Sequence, residues 1–422
     1  MMKHPIKIMQ IGDGNFMRGF FDLAVEKLQV PFSVVSVAAT ERGRTVKQLE
    51  EQQLQFTVKE RGLKDGEVVE EETIVKAIKD TINPYENWHK FLQYAQSETL
   101  EMIVSNTTEA GIYYENIPYP TACPTSYAAK LTVFLKHYYD HFQGEKQLAI
   151  VPLELIEQNG KTLKNICLQH AKDWAFPTAF LEWLATLAFC NTLVDRIVTG
   201  YPLDYKGKDA LYTVCEPYFL FVIDQKEPFK HWPTSLELPF VFDDLDMYRK
   251  RKVAILNGSH LLLSAFGKIY NYKTVREAFS NADIRAFIEK VTNDFTQRFQ
   301  VDEDYQKDVF ERFLNPFIEH HLYDIQLNEL SKWQARIASY AKTEIYYQAL
   351  AIGIFTMNPT RFPMRESDNV IEKLTDIHEQ FEQGQAEQMQ QFIEQYFQCD
   401  ATEVIKQLST INRLLEEIAC DN

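Results

Sequence analysis

Basic residues are in short supply in this chain: 44 Lys and Arg stand against 60 Asp and Glu, a formal charge of -16. A general nucleic-acid role needs a basic footprint, so that class is excluded. An anionic ligand must then be met by a local basic pocket, because the global field repels it. Cysteine is scarce as well. Cys123, Cys167, Cys190, Cys215, Cys399 and Cys420 are scattered, with no C-x-x-C pair and no close His partner. Metal-site spacing is absent, and no metal is expected. The even count leaves disulfides open, although a chain of this size without a secretory leader points to a reducing compartment. The opening residues, MMKHPIKIM, have no apolar leader core, and no run approaches the roughly 18 apolar residues of a membrane span. The expectation is a cytoplasmic protein with no membrane partner.

What is present is an ordinary globular composition, 45% apolar and 25% charged over 422 residues. That length exceeds what one hydrophobic core usually supports, so two domains are expected. The run Ile6–Ile11 ends abruptly at Gly12-Asp13-Gly14, a helix-like stretch continues to Val30, and Phe32–Ala39 reads as a buried strand. Strand, glycine turn, helix and strand in that order begin a βαβ unit. Residues 54–69 suggest a hairpin around Gly62 and Gly66. The runs 102–105 and 147–152 read as core strands, with a helix over Tyr127–Phe142 between them. Alternating strands and helices favour a parallel sheet. From Asp246 onward amphipathic helical patterns dominate: residues 254–270, 284–299, 304–321, 328–351 and 370–397. The fold class is therefore α/β, with a parallel-sheet domain over 1–245 and a mostly α-helical domain over 246–422.

Gly12-x-Gly14 sits where a strand meets a helix, which is where a dinucleotide pyrophosphate rests on backbone N–H groups in a Rossmann-type domain. The third glycine of the usual pattern would fall at Met17 and is missing; Gly19 is the next. A tight turn without a ligand explains the same residues. Asn15 and Phe16 open the helix. Glu41, after the second strand, is placed to hold an adenosine ribose, while its neighbours Arg42 and Arg44 suit a 2′-phosphate. The cofactor reading is NAD(H), with NADP(H) left open. Asn106, Thr107 and Thr108 follow a strand directly and face the ligand crevice of an open α/β sheet, or cap the segment that follows.

The sharpest cluster is Lys252, Asn257 and His260. At about 100° per residue a straight helix sets Lys252 and Asn257 about 140° apart and Asn257 and His260 about 60° apart, so Lys252 is expected at a helix entrance. A lysine in a dry pocket can trade a proton with an alcohol. An amide can stabilise the developing alkoxide, and a histidine can hold hydroxyls. The plain alternative is a lysine reaching out to solvent.

These residues carry a family resemblance. Phe189–Ile197, ending V-D-R-I with Thr199 where a proline is usual, then Glu216-Pro217-Tyr218-Phe219, then Lys252, Asn257 and His260 come in the order of the polyol-specific long-chain dehydrogenases. That family includes mannitol dehydrogenases and the uronate reductases. Gly12–Phe21, residues 105–112, Glu154-Leu155-Ile156 with Asn159-Gly160, Asp243-Asp244-Leu245 and Arg312–Phe317 resemble the uronate reductases in particular. The resemblance runs from about residue 5 to about residue 345, and Met357–Asp368 departs from it. It implies a small-molecule sugar-acid substrate, Lys252 as general acid/base, Asn257 as donor to the reacting oxygen and His260 as the orienter of hydroxyls. Mannitol dehydrogenases carry a second oxyanion-stabilising Asn where this chain has Leu155, which cannot donate a hydrogen bond; Asn159 is the candidate replacement. A uronate also needs a carboxylate clamp, for which Arg361, Arg365 and Lys332 are candidates. Asp195 and Arg196 fit a structural ion pair. The other enzymatic readings are a different hexuronate or a polyol, and the non-enzymatic one is a nucleotide-sensing module.

Overall fold

The computed structural model describes residues 4–107, 111–224, 236 and 238–420, with side chains to residue 412. The chain divides into two compact units, one made of Met1–Arg61 and Val68–Leu245 and the other of Gly62–Glu67 and Asp246–Asn422.

The first unit is built on a six-stranded sheet. Its strands are β1 (Ile6–Ile11), β2 (Ser33–Val37), and, after the hairpin strands β3 (Phe56–Lys64) and β4 (Glu67–Val75), β5 (Ile78–Ile82), β6 (Met102–Ser105), β7 (Ala149–Pro152) and β8 (Ala188–Phe189). They lie in the order β5-β2-β1-β6-β7-β8, and every pair is parallel. Both faces are covered, so the central strands are buried along most of their length even at Gln10, Ser33, Ser36 and Ser105. Ile8, Val34, Met102 and Val104 pack on one side with Phe20 and Phe21. Met9, Val35, Ile103 and Ile150 pack on the other with Leu131, Phe134 and Leu135 of the helix Tyr127–Phe142. A second sheet follows the order β10-β11-β3-β4, with β10 Val198–Gly200 and β11 Thr213–Cys215. A third joins β9 (Thr192–Asp195), β12 (Leu220–Asp224) and β13 (Val241–Asp243). The β3–β4 turn is Asp65-Gly66, both at positive φ (53° and 80°), as a type I′ hairpin turn requires. Gly62 lies within β3 rather than at the turn.

The second unit is helical. Leu261, Leu262, Leu263, Phe279, Ile288, Phe295, Trp333, Tyr346 and Ile354 are sealed in its core. Lys268 and Glu329 form an ion pair there, each only 2% exposed. The helical patterns are cut shorter than the sequence suggested. Helix Glu303–Phe313 stops before Asn315-Pro316, because proline has no N–H to continue the ladder. The stretch 328–351 resolves into Glu329–Arg336, a 3₁₀ turn Ala338–Tyr340 and Glu344–Thr356. The stretch 370–397 becomes Asp368–Glu382, Glu387–Phe392 and a π-helical turn Ile393–Phe397. Gly384 between the first two stands at φ +84°, a conformation natural to glycine.

Candidate active site

In the first unit, β1 delivers Gly12 with φ +113°, and a Cβ there would meet the Asn106 carbonyl oxygen at 2.5 Å. Only glycine lets the ends of β1 and β6 approach this closely. The approach is fixed by Gly12 N–H donating to Val37 O and Asn106 N–H to Ile11 O, each at 2.9 Å. Gly14 is different. It precedes the helical run 15–28, and a Cβ added there would meet nothing within 4 Å. Open space over backbone N–H groups at a helix start is what an anionic phosphate requires. Asn15 is exposed, with its side-chain oxygen accepting from Arg18, and Phe16 stacks on Phe20 at 4.9 Å. Arg18 also donates to the Asp13 carbonyl (2.7 Å) and the Thr213 hydroxyl (3.1 Å). The spacing role of the missing third glycine falls to Gly19, whose Cβ would meet Val198 at 2.8 Å.

Beside this helix start lies a cavity of about 420 Å³ lined by Asn15, Arg18, Arg44, Thr45, Gln48 and Tyr201, among others. Glu41 and Arg42 are exposed beyond β2. A cradle open at Gly14 and flanked by two guanidinium groups fits a dinucleotide phosphate.

At the ends of β6 and β7, buried Glu154 accepts from Thr107 N–H (2.8 Å), the Thr107 hydroxyl (2.9 Å) and the Ser105 hydroxyl (3.1 Å). Burial pushes its carboxyl pKa up, and the Thr107 and Ser105 donors oppose that push. Glu154 thus fixes the Asn106-Thr107 backbone. Sequence reasoning missed this role, although the residue's place at a strand end beside Leu155 was visible. Thr108 lies outside the described residues.

Asn159 requires a correction. It is buried, its amide donating to Pro152 O, Glu154 O and the Thr192 hydroxyl while its oxygen accepts from Gly160 and Thr192 N–H. With two N–H donors already shared among three acceptors it has none left for a substrate. Leu155 is 71% exposed. Arg196 is corrected too, since its carboxylate partner is Glu60.

In the second unit, Lys252 does not stand at a helix entrance. Helical turns run unbroken from Leu245 to Tyr270, and the middle portion, Lys252–Asn257, is a π-helix. Gly258 N–H reaches back five residues to Val253 O. A turn closed over five residues brings positions five apart onto one side, as an α-turn does for positions four apart. The separation of Lys252 and Asn257 collapses, and with His260 three residues on, all three share one side of the helix. Each is half-buried. Gly258 permits the close approach of helix Glu329–Arg336: a Cβ there would meet Ile337 at 3.3 Å and the Arg336 carbonyl at 3.4 Å.

The His260 ring packs against His320 (4.6 Å between centroids) and Phe313 (4.9 Å). Burial, followed by the charges of His320, Arg312 and Arg336, holds its pKa well below the ordinary histidine value. His260 is therefore a neutral ring at neutral pH, able to donate from one nitrogen and accept at the other. The clamp candidates fare differently. Arg361 pairs with Glu382 at 2.9 Å. Arg365 donates to Tyr323 O and lies over that ring, 4.0 Å from its centroid. Lys332 donates to Ile325 O at 2.8 Å, and its pKa is lowered by burial and then by Arg336. Arg336, one helical turn beyond Lys332, went unread; the four-residue spacing was the available signal.

Residues 6–235 match the mannitol dehydrogenase Rossmann domain and residues 244–418 the mannitol dehydrogenase C-terminal domain. The chain is 37% identical over 356 residues to an altronate oxidoreductase of Halalkalibacterium halodurans, covering 79% of this chain and 70% of that one. It is 35% identical over 360 residues to the altronate oxidoreductase of Bacillus subtilis, covering 79% and 74%. Among solved structures it is similar to a D-sorbitol dehydrogenase (TM-score 0.77, 16% identity, 98% and 94% covered) and to Pseudomonas fluorescens mannitol 2-dehydrogenase in complex with NAD and D-mannitol (0.61, 19%, 96% and 90%). Two matched domains spanning almost the whole chain, over a sheet and a helix that carry the dehydrogenase motifs, show that this protein is an oxidoreductase of the mannitol dehydrogenase family.

Proposed function

We propose that the chain interconverts tagaturonate and altronate with NAD(H), using Lys252 as the acid/base. The observation that carries the mechanism is the π-helical turn, which sets Lys252, Asn257 and His260 on one side of one helix. The curated relatives' names support the substrate. Bound nicotinamide supplies the hydride to the carbonyl carbon in reduction and accepts it in oxidation. Lys252 as an ammonium gives its proton to the carbonyl oxygen in reduction and recovers it from the alcohol in oxidation. The Asn257 amide donates to that oxygen while it carries developing negative charge. Neutral His260 orients the adjoining hydroxyls. Gly12, Gly14, Asn15 and Phe16 shape the pyrophosphate end of the cofactor site, with Glu41 toward the adenosine ribose. Asn106 and Thr107, held by Glu154, border the crevice at the strand ends. Exposed Leu155 offers no amide, which disfavours a polyol site relying on a second one.

The test is the loss of NADH and NADPH absorbance with tagaturonate, fructuronate and fructose in parallel. Turnover is expected with tagaturonate and NADH above the other pairs. Lys252→Ala should lower kcat by about 100-fold or more while NADH binding, read by fluorescence, is retained. Turnover with fructose alone would sink the uronate reading. An active Lys252→Ala would remove the lysine from the chemistry.

A further inference from the structure

Positive charge gathers on one side of the catalytic helix, and Arg336 stands in it without a carboxylate partner among the described residues. Lys332 and Arg336 stand four apart on the helix Glu329–Arg336, which places like charges on one face, an arrangement that destabilises a helix left to itself. The nearby acids Glu329, paired with Lys268, and Glu366, accepting from Leu330 N–H at 2.8 Å, face Lys332 and not Arg336. Arg336 is half-buried, and among the described residues no carboxylate pairs with it. Its backbone abuts Gly258, the residue after Asn257. Its charge reaches His260, as do those of His320 and Arg312. A half-buried guanidinium costs folding free energy unless something anionic meets it. Its fork matches a carboxylate in a bidentate manner.

Resting on the sugar-acid reading above, we propose that Arg336 is the substrate's carboxylate clamp, with Lys332 as an auxiliary cation. The residue makes the site specific for anionic sugar acids over neutral sugars of the same length. The proposal assigns the anion site to the helix beside Gly258 and takes that role from Arg361 and Arg365, which are already engaged.

Calorimetric titration of the whole protein with D-gluconate and with D-sorbitol tests this, since the two probes share a six-carbon chain and differ in charge. The wild type is expected to bind gluconate more tightly than sorbitol. Arg336→Met should weaken gluconate by about 10- to 100-fold, as loss of a charge-assisted hydrogen-bond pair does, and leave sorbitol within about twofold. Arg336→Lys should fall between, because charge survives and the fork does not. That variant carries the test if Arg336→Met fails to show a cooperative melt. Unchanged gluconate affinity in the variants, an equal fall for both probes, or no gluconate binding by the wild type would each overturn the clamp. Arg336-dependent gluconate binding in an enzyme silent toward tagaturonate would keep the clamp and overturn the substrate assignment instead.

Discussion

Two buried side chains tie stability to pH in opposite senses. Asp22, wholly enclosed within the first helical run, has its carboxyl pushed up to about 7 by burial, against the opposing pull of the Gln10 amide and Arg18. Between its ordinary value near 3.8 and about 7 the folded state holds a proton that the unfolded chain has released, so stability falls as pH rises through that window. His378 is the reverse. Burial, then the charge of Arg361, lowers it to about 4 from 6.5, so stability falls as pH drops from about 6.5 toward 4. The two windows overlap and their slopes oppose, so on account of these groups the wild-type melting temperature is expected to change little between about pH 4 and 6.5. Asp22→Asn should leave stability rising with pH across the shared window, with a gain over the wild type above pH 7 of at most about 4 kcal/mol, and His378→Gln should leave it falling. Parallel profiles for both variants and the wild type would mean that neither group titrates on unfolding.

Among the described residues, one of three π-helical turns carries two of the residues assigned to chemistry, and another follows the glycine turn closely. Arg18–Asp22 lies in the helix after Gly14 and Lys252–Asn257 carries the lysine. Such a turn is an α-helix with one residue too many, and periodicity scored at 3.6 residues per turn cannot see it. That is why the sequence placed Lys252 at a helix entrance while reading the helix Tyr127–Phe142 and strands β1 and β6 at their true limits. Strands β8 to β13, of two to five residues each, were illegible because so short a run takes its conformation from its partners. The extra residue makes a paired prediction. Deleting half-buried Val253 should restore an ordinary α-turn with Lys252 and Asn257 four apart and still on one side, leaving activity within about 100-fold of wild type. Inserting an alanine after Val253 should turn Lys252 away by about 100° and abolish activity to the level of Lys252→Ala. Equal loss in both variants would show that the π turn is not what aligns the three residues.

The chain as a whole carries a charge of -16, so a sugar-acid anion approaches against the long-range field and is held only by local cations. Salt screens exposed charges beyond a Debye length of about 10 Å at 0.1 M and partly buried ones much less. Raising ionic strength from about 0.01 to 0.15 M should therefore raise kcat/KM for a uronate or leave it flat, and a steep fall would point to global steering instead. The division near residue 245 followed from a change in periodicity, whereas the grouping of residues 62–67 with the second unit did not. That grouping depends on Glu311 accepting from Asp65 and Gly66 N–H, 246 and 245 residues away in sequence, which no local pattern reveals. The motif that announced the family, Phe189–Ile197, has a comparable surprise in it. Its Arg196 joins the Gly19 carbonyl, the Glu216 carbonyl and the Glu60 carboxylate in the interior of the first unit. The most recognisable phrase in the sequence is thus a fastening, and ancestry and reactivity are written in different places. A descendant that lost Lys252 would still be filed among the dehydrogenases, while one that rebuilt the fastening around another residue would slip from notice with its chemistry intact.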